Sequence, residues 1–148
     1  MKCPKDKSDL IVVEHRRVEL DYCLHCAGVW FDSGELDLLV NTLVASAEGQ
    51  AHKEQIIFDP ATVKEAQRRC PICGKKMEKV WAGKEPRILI DRCPIGDGLW
   101  FDGGELRQLL TEVLPGDSKG ILAFLGDAFT YSANQKGPAA AEGAQKEA

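Results

Sequence analysis

No run of apolar residues in this chain approaches the roughly 18–20 positions that a membrane-spanning helix needs. Nor is there a surplus of basic charge, since 19 Lys and Arg stand against 23 Asp and Glu, a formal net charge of −4. Residues 1–50 hold five basic and nine acidic side chains, and residues 70–114 hold seven of each. Neither half has the cationic excess on which nonspecific nucleic-acid binding draws. The opening MKCPKDKSDL lacks the apolar h-region of an export signal, so an unprocessed, cytoplasmic protein is expected. Six cysteines in a reducing compartment are unsuited to disulfides, which makes metal ligation the leading use for them.

What the chain does have is a repeat. CLHCAGVWFDSGEL at residues 23–36 returns as CPIGDGLWFDGGEL at residues 93–106, with eight of the fourteen positions identical. Upstream, CPKDKSDL from residue 3 answers CPICGKKM from residue 70. Cys3 aligns with Cys70, Asp6 with Cys73, Cys23 with Cys93, Trp30 with Trp100 and Glu35 with Glu105. The offset is 67 before the middle of each unit and 70 after it, so the second unit is slightly longer there. Two copies make a tandem pair and not a solenoid.

Each copy reads as knuckle, hairpin, knuckle, helix. LIVVEHRRVELDYC and MEKVWAGKEPRILIDRC each give two apolar-alternating segments around a polar turn, a β-hairpin pattern. Asp32 and Asp102 stand three residues before Glu35 and Glu105, which is capping-box spacing. Leu36, Leu39, Val40, Leu43 and Val44, and then Leu106, Leu109, Leu110, Val113 and Leu114, fall at the spacing of an amphipathic helix.

The expected fold is a small, metal-stabilised α+β chain of two tandem zinc ribbons, each followed by a helix, with the ribbons packed together through the helix stripes. The units span 1–48 and 70–114, joined by a linker at 49–69 in which Asp59-Pro60 opens a short helix. A C-terminal helical segment at 115–134 and a disordered tail at 135–148 complete the expectation.

Metal is a physical need for units of this size. Each is shorter than the ~70 residues at which a core alone suffices, and a lone hairpin is marginal in water. A structural zinc contributes on the order of 10 kcal/mol or more of apparent folding free energy. The ligand spacing agrees: Cys3-x2-Asp6-x16-Cys23-x2-Cys26, then Cys70-x2-Cys73-x19-Cys93-x2-Gly96, against a central gap of about 15–20 residues in paired C-x2-C zinc sites. Each quartet lacks a different cysteine. Asp6 takes the vacant position in the first, since zinc accepts carboxylate oxygen. In the second, either Asp97, flanked by Gly96 and Gly98, reaches inward or water completes three thiolates. Two Zn2+ ions are expected, the second held more weakly.

CPKDKSDL…CLHCAGVWFDSGELDLL and its second copy resemble the transcription factor IIB-type zinc-finger family of small zinc ribbons. The most specific part is the second knuckle running into G-x-W-F-D-x-G-E-L. The resemblance implies tetrahedral metal sites, with ligand positions at Cys3, Cys23 and Cys26 and at Cys70, Cys73 and Cys93. This chain departs from that pattern at Asp6 and Gly96, where the family has Cys.

Trp30 and Trp100 read as core aromatics, because a small core gains most from burying large rings. His15, in the expected hairpin turn, reads as solvated, and His25, inside a knuckle, reads as a ligand only if a cysteine lets go. Arg16–Arg17 and Arg68–Arg69 are short basic pairs with phosphate contact as the sharper reading. Lys75, Lys76, Lys79, Lys84, Arg87 and Arg92 crowd the second hairpin and are the sole support for nucleic-acid binding. The function expected is a non-catalytic, zinc-stabilised module, transcription-associated, that binds another protein. A nucleic-acid-binding ribbon is the second reading, and a zinc enzyme using an open position in the second site is the third.

Overall fold

The structure is a computed structural model that describes residues 1–15, 17–46, 56–63, 67–84 and 87–114. The expected C-terminal helix and tail lie outside the described residues.

Both expected hairpins form. Strands β1 (Ile11–His15) and β2 (Val18–Tyr22) pair antiparallel, as do β5 (Glu78–Ala82) and β6 (Ile88–Arg92). Alternation puts Val18, Leu20 and Tyr22 inside while Glu19 stays exposed. Each copy adds a third strand from its W-F segment, β3 (Val29–Asp32) and β7 (Gly98–Phe101). A short strand β4 (Phe58–Pro60) precedes β5. Helices α1 (Glu35–Ser46) and α2 (Glu105–Val113) carry the two apolar stripes. Leu39, Leu109 and Leu110 are fully buried.

Both helix stripes contribute to one apolar cluster, but the backbone join between the copies lies elsewhere. The copies meet edge to edge, β3 against β7, so that all the strands form one seven-stranded sheet in the order β1-β2-β3-β7-β6-β5-β4. The helix stripes instead pack down on the sheet, α1 over β2 and β3 and α2 over β6. The reason is that β3 and β7 each present an open edge with unpaired backbone groups, and pairing them removes two edges at once.

The join is nearly symmetric. Trp30 faces Trp100, Val29 faces Phe101 and Phe31 faces Leu99. With the copies offset by 70, Trp30 is thus opposite its own counterpart, and a pseudo-two-fold axis runs between the two indoles. Alternation sorts the side chains to two faces. Val29, Phe31 and Phe101 join both helix stripes in one apolar cluster, with the Phe31 and Phe101 rings edge to face at 5.7 Å. Trp30 and Trp100 turn to the other face and cluster with Met77 and the cysteines.

Two further expectations change. Phe58–Pro60 is a strand added to the edge at β5, and Ala61–Val63 carry no helix, where the sequence puts a first helical turn. Backbone pairing to β5 outweighs the local Asp-Pro signal. Nor does Asp102 cap α2 as expected. The N-cap of α2 is Gly104, at φ 90° and without a side-chain cap. Only half of the capping box survives, with Glu105 Oε1 accepting from the Asp102 N–H at 2.8 Å. The aspartate side chains are taken by the indoles: Trp30 Nε1 donates to Asp32 at 2.9 Å and Trp100 Nε1 to Asp102 at 3.1 Å.

Candidate metal sites

Four tight turns build the sites. In three of them the N–H four residues on closes back to a cysteine carbonyl: Lys7 to Cys3, Ala27 to Cys23 and Gly74 to Cys70, each at 2.9 Å. Lys7, Ala27 and Gly74 all have positive φ. The fourth turn is one residue tighter. Gly96 N–H bonds to the Cys93 carbonyl at 3.2 Å, and the positive φ falls on Gly96 itself. That shortening moves the ligand slot from Gly96 to Asp97. It explains why a carboxylate one residue out of register reaches the cluster.

The turns bring two quartets together, Cys3, Asp6, Cys23 and Cys26 in one and Cys70, Cys73, Cys93 and Asp97 in the other, with the ligand atoms of each within 4.8 Å of one another. Cys3 Sγ is 3.7 Å from Cys26 Sγ, and Cys73 Sγ is 3.7 Å from Cys93 Sγ. The carboxylates complete the pattern, with Asp6 Oδ2 3.4 Å from Cys23 Sγ and Asp97 Oδ2 3.4 Å from Cys70 Sγ. A zinc tetrahedron with bonds of about 2.3 Å to sulfur and about 2.0–2.2 Å to oxygen has S···S edges of about 3.8 Å and S···O edges of about 3.5 Å. The donor sets fit zinc in both type and spacing. The sulfurs are far beyond the roughly 2.05 Å of a disulfide, and all six cysteines are free thiols.

Burial governs the ionisation of the thiols. Burial pushes the Cys3 and Cys70 thiols up to about 12, and raises Cys26 as well. Burial opposes ionisation of Cys23 too, but the Ser8 hydroxyl and the Cys26 N–H bring it below its ordinary value. Asp6 is held well below the usual carboxylate range, first by the Ser8 hydroxyl and then by the Ser8 N–H. A bound divalent ion would deprotonate the coordinating thiols outright.

Each site is roofed by the other copy. A Cβ on Gly28, beside Cys26, would collide with the Trp100 ring, and one on Gly98, beside Asp97, would lie 2.7 Å from Trp30 Cζ2 and strike the Phe31 carbonyl. Both positions therefore require glycine for close approach, and Trp30 and Trp100 are completely buried. The Ser33 N–H bonds to the Asp97 carbonyl at 2.9 Å, so the first copy also holds the backbone of the second copy's carboxylate.

Outside the quartets, His25 is exposed and belongs to neither, while the side chain of His15 lies outside what is described. Of the basic cluster of the second hairpin, Lys75, Lys76 and Lys84 are exposed, while Lys79, Arg87 and Arg92 have partners within the fold. Lys79 is buried, its Nζ 2.8 Å from Asp91 Oδ1, an ion pair in which that oxygen has no aligned hydrogen bond. Arg92 bonds to Glu78 at 3.0 Å and Arg87 lies 4.7 Å over the Trp81 ring. Of the second basic pair, Arg68 grips Asp102 at 2.6 Å and Arg69 bonds to the Gly74 carbonyl at 3.0 Å. Ser8 was not singled out by the sequence, although an Asp-x-Ser turn is a local signal for side-chain bonding to a nearby backbone N–H.

No helix among the described residues is long and apolar enough to cross a membrane. No curated protein and no solved structure matches the chain. A family model described as transcription factor zinc-finger matches residues 2–42 and 69–112, more than half of the chain. Each matched segment contains one quartet and one of the facing tryptophans. With two zinc sites in two matched segments, the chain belongs to the transcription factor zinc-finger family.

Proposed function

We propose that this chain is a non-catalytic module in which two zinc ions, each held by three thiolates and one carboxylate, fix a sheet that binds another protein. The observation carrying this reading is that both quartets supply four protein donors. Structural zinc sites are four-coordinate and closed, whereas catalytic zinc keeps a position for water. Asp97 Oδ2 at 3.4 Å from Cys70 Sγ supports a fourth donor from the chain at the second site. A cleft of about 190 Å3 beside the start of α1 is lined by Asp32, Asp37, Phe58, Arg92 and Leu99, with no metal ligand in its wall. Ligand pockets of enzymes are commonly about 300–1,000 Å3.

Protein binding is favoured over nucleic acid by what the surface offers. Ile72 and Ile95, 52% and 61% exposed, tip the two knuckles of the second copy, where the first copy has Lys5 and His25. Three of the six cations on the second hairpin, Lys79, Arg87 and Arg92, are engaged within the fold, Lys79 most completely, which leaves fewer to serve a phosphate backbone. A role in transcription rests on the family's description alone.

The test is spectroscopic. Cobalt substituted for zinc gives two tetrahedral ions per chain whose absorption is unchanged by added azide or cyanide. An anion-induced change at the second ion means an open position, and overturns the closed, non-catalytic reading.

A further inference from the structure

We propose that Ser8 is the positioning residue for the Asp6 ligand and that it makes the first zinc site the tighter of the two. The inference rests on the reading of Asp6 and Asp97 as ligands, and concerns how each is held. A cysteine offers one sulfur on a short stem. An aspartate offers two equivalent oxygens on a rotor, and at an exposed position water competes for both. Asp6 is exposed. Left to itself, its carboxylate would spend much of its time turned into solvent.

Ser8 removes that freedom with two bonds to one oxygen. Its N–H donates to Asp6 Oδ1 at 3.0 Å and its hydroxyl to the same Oδ1 at 2.6 Å. With two Ser8 bonds on Oδ1, Oδ2 is the oxygen nearer the quartet, 3.4 Å from Cys23 Sγ against 3.7 Å for Oδ1. The Ser8 hydroxyl also lies 3.3 Å from Cys23 Sγ, so one side chain spans two adjacent ligands. An Asp-x-Ser turn explains the backbone bond alone. It does not require the hydroxyl to double that bond, nor Oδ2 to sit at the edge length of a zinc tetrahedron.

The internal repeat supplies the control. At the position equivalent to Asp6 the second copy has Cys73, and at the position equivalent to Ser8 it has Lys75. The serine accompanies the aspartate and is absent where the ligand is sulfur. The second copy's own carboxylate has no such support. Among the described residues, the Cys70 thiol alone comes within bonding distance of the Asp97 side chain. Asp97 is held through its backbone, by Ser33 from across the join.

Partners that orient a metal ligand commonly contribute 10–100-fold in affinity. The test is chelator competition on the full chain, with zinc as the probe, and cadmium NMR to give each site its own resonance. Ser8→Ala is expected to weaken the tighter of the two ions by 10–100-fold and to shift one cadmium resonance, the same one shifted by Asp6→Asn. Ser8→Thr, which keeps the hydroxyl, restores both. A Ser8→Ala chain that binds both ions like the wild type, while Asp6→Asn does not, overturns the positioning role and leaves the ligand assignment standing. If Asp6→Asn also binds both ions normally, the ligand reading itself falls. If the perturbed resonance belongs to the more weakly held ion, the ranking of the sites is wrong.

Discussion

At the scale of single residues, the molecule is decided by where a charge or a Cβ can be tolerated. Glu105 illustrates the first. It starts α2, and its carboxyl is pushed up to about 7, mainly by burial and further by the neighbouring charges of Asp102 and Asp91, against the hydrogen bond from the Asp102 N–H. A carboxyl whose folded pKa lies above its unfolded value near 4.3 binds more protons folded than unfolded in between. Its contribution to stability is complete below about pH 4 and is lost as pH rises through about 7. Glu105→Gln, which keeps an acceptor for the Asp102 N–H, should flatten this decline. Zinc-loaded wild type and variant would be compared by denaturant titration from pH 5 to 8. Parallel pH curves would contradict the argument. Gly28 and Gly98 illustrate the second kind of decision. Their glycine identity was visible in the sequence, but its cause was not, since each opposes an indole from the other copy.

At the scale of elements, the sequence predicted the two hairpins and both helix stripes because periodicity is a local property. Val18, Leu20 and Tyr22 alternate, and Leu36, Leu39, Val40 and Leu43 recur at helical spacing, whatever they come to face. The third strand of each copy was missed. V-W-F and L-W-F are too short to show a period, and the aspartate after each resembles a helix cap. Backbone pairing to β2 and β6 within each copy and across the join, with the indole-to-aspartate bonds, makes these segments strands. Adjacent leucines in α1 test the stripe itself. Leu39 is fully buried, whereas Leu38 is 43% exposed. Leu39→Ala should cost about 2–5 kcal/mol, and Leu38→Ala no more than about 0.5 kcal/mol. Equal losses in thermal denaturation would mean that the helix does not lie on the sheet as described.

At the scale of the whole molecule, the two metal sites lie on either side of one packed join. Trp100 leaves the second copy on β7, directly after Cys93 and Asp97, and packs over Gly28 of the first. Trp30 makes the reciprocal contact at Gly98. An ion that orders one pair of knuckles therefore fixes the strand that roofs the other site. Cys73→Ser, a change confined to the second quartet, should weaken zinc binding at the first. A change that empties the first site should likewise weaken zinc binding at the second, because coupling between two bound ions is reciprocal. Chelator competition on the paired variants measures both directions, and two unaltered affinities would show that the join transmits nothing.

The sequence by itself determined the chemistry. Cysteine spacing, the repeat and the substitution of Asp6 for a sulfur are statements about which atoms are available within a few residues, and neighbours along the chain settle them. Asp97 stands between the two kinds of knowledge. Its candidacy was legible, but its place in the quartet depends on a turn closing at Gly96 and on Ser33 holding its carbonyl. The tertiary structure alone decided how two half-stable ribbons become one body. The residue pattern alone points to a union at the helices, where apolar stripes are conspicuous. It occurs at β3 and β7, because backbone groups on an open strand edge carry no side-chain signature and their need for partners appears only once the strands exist.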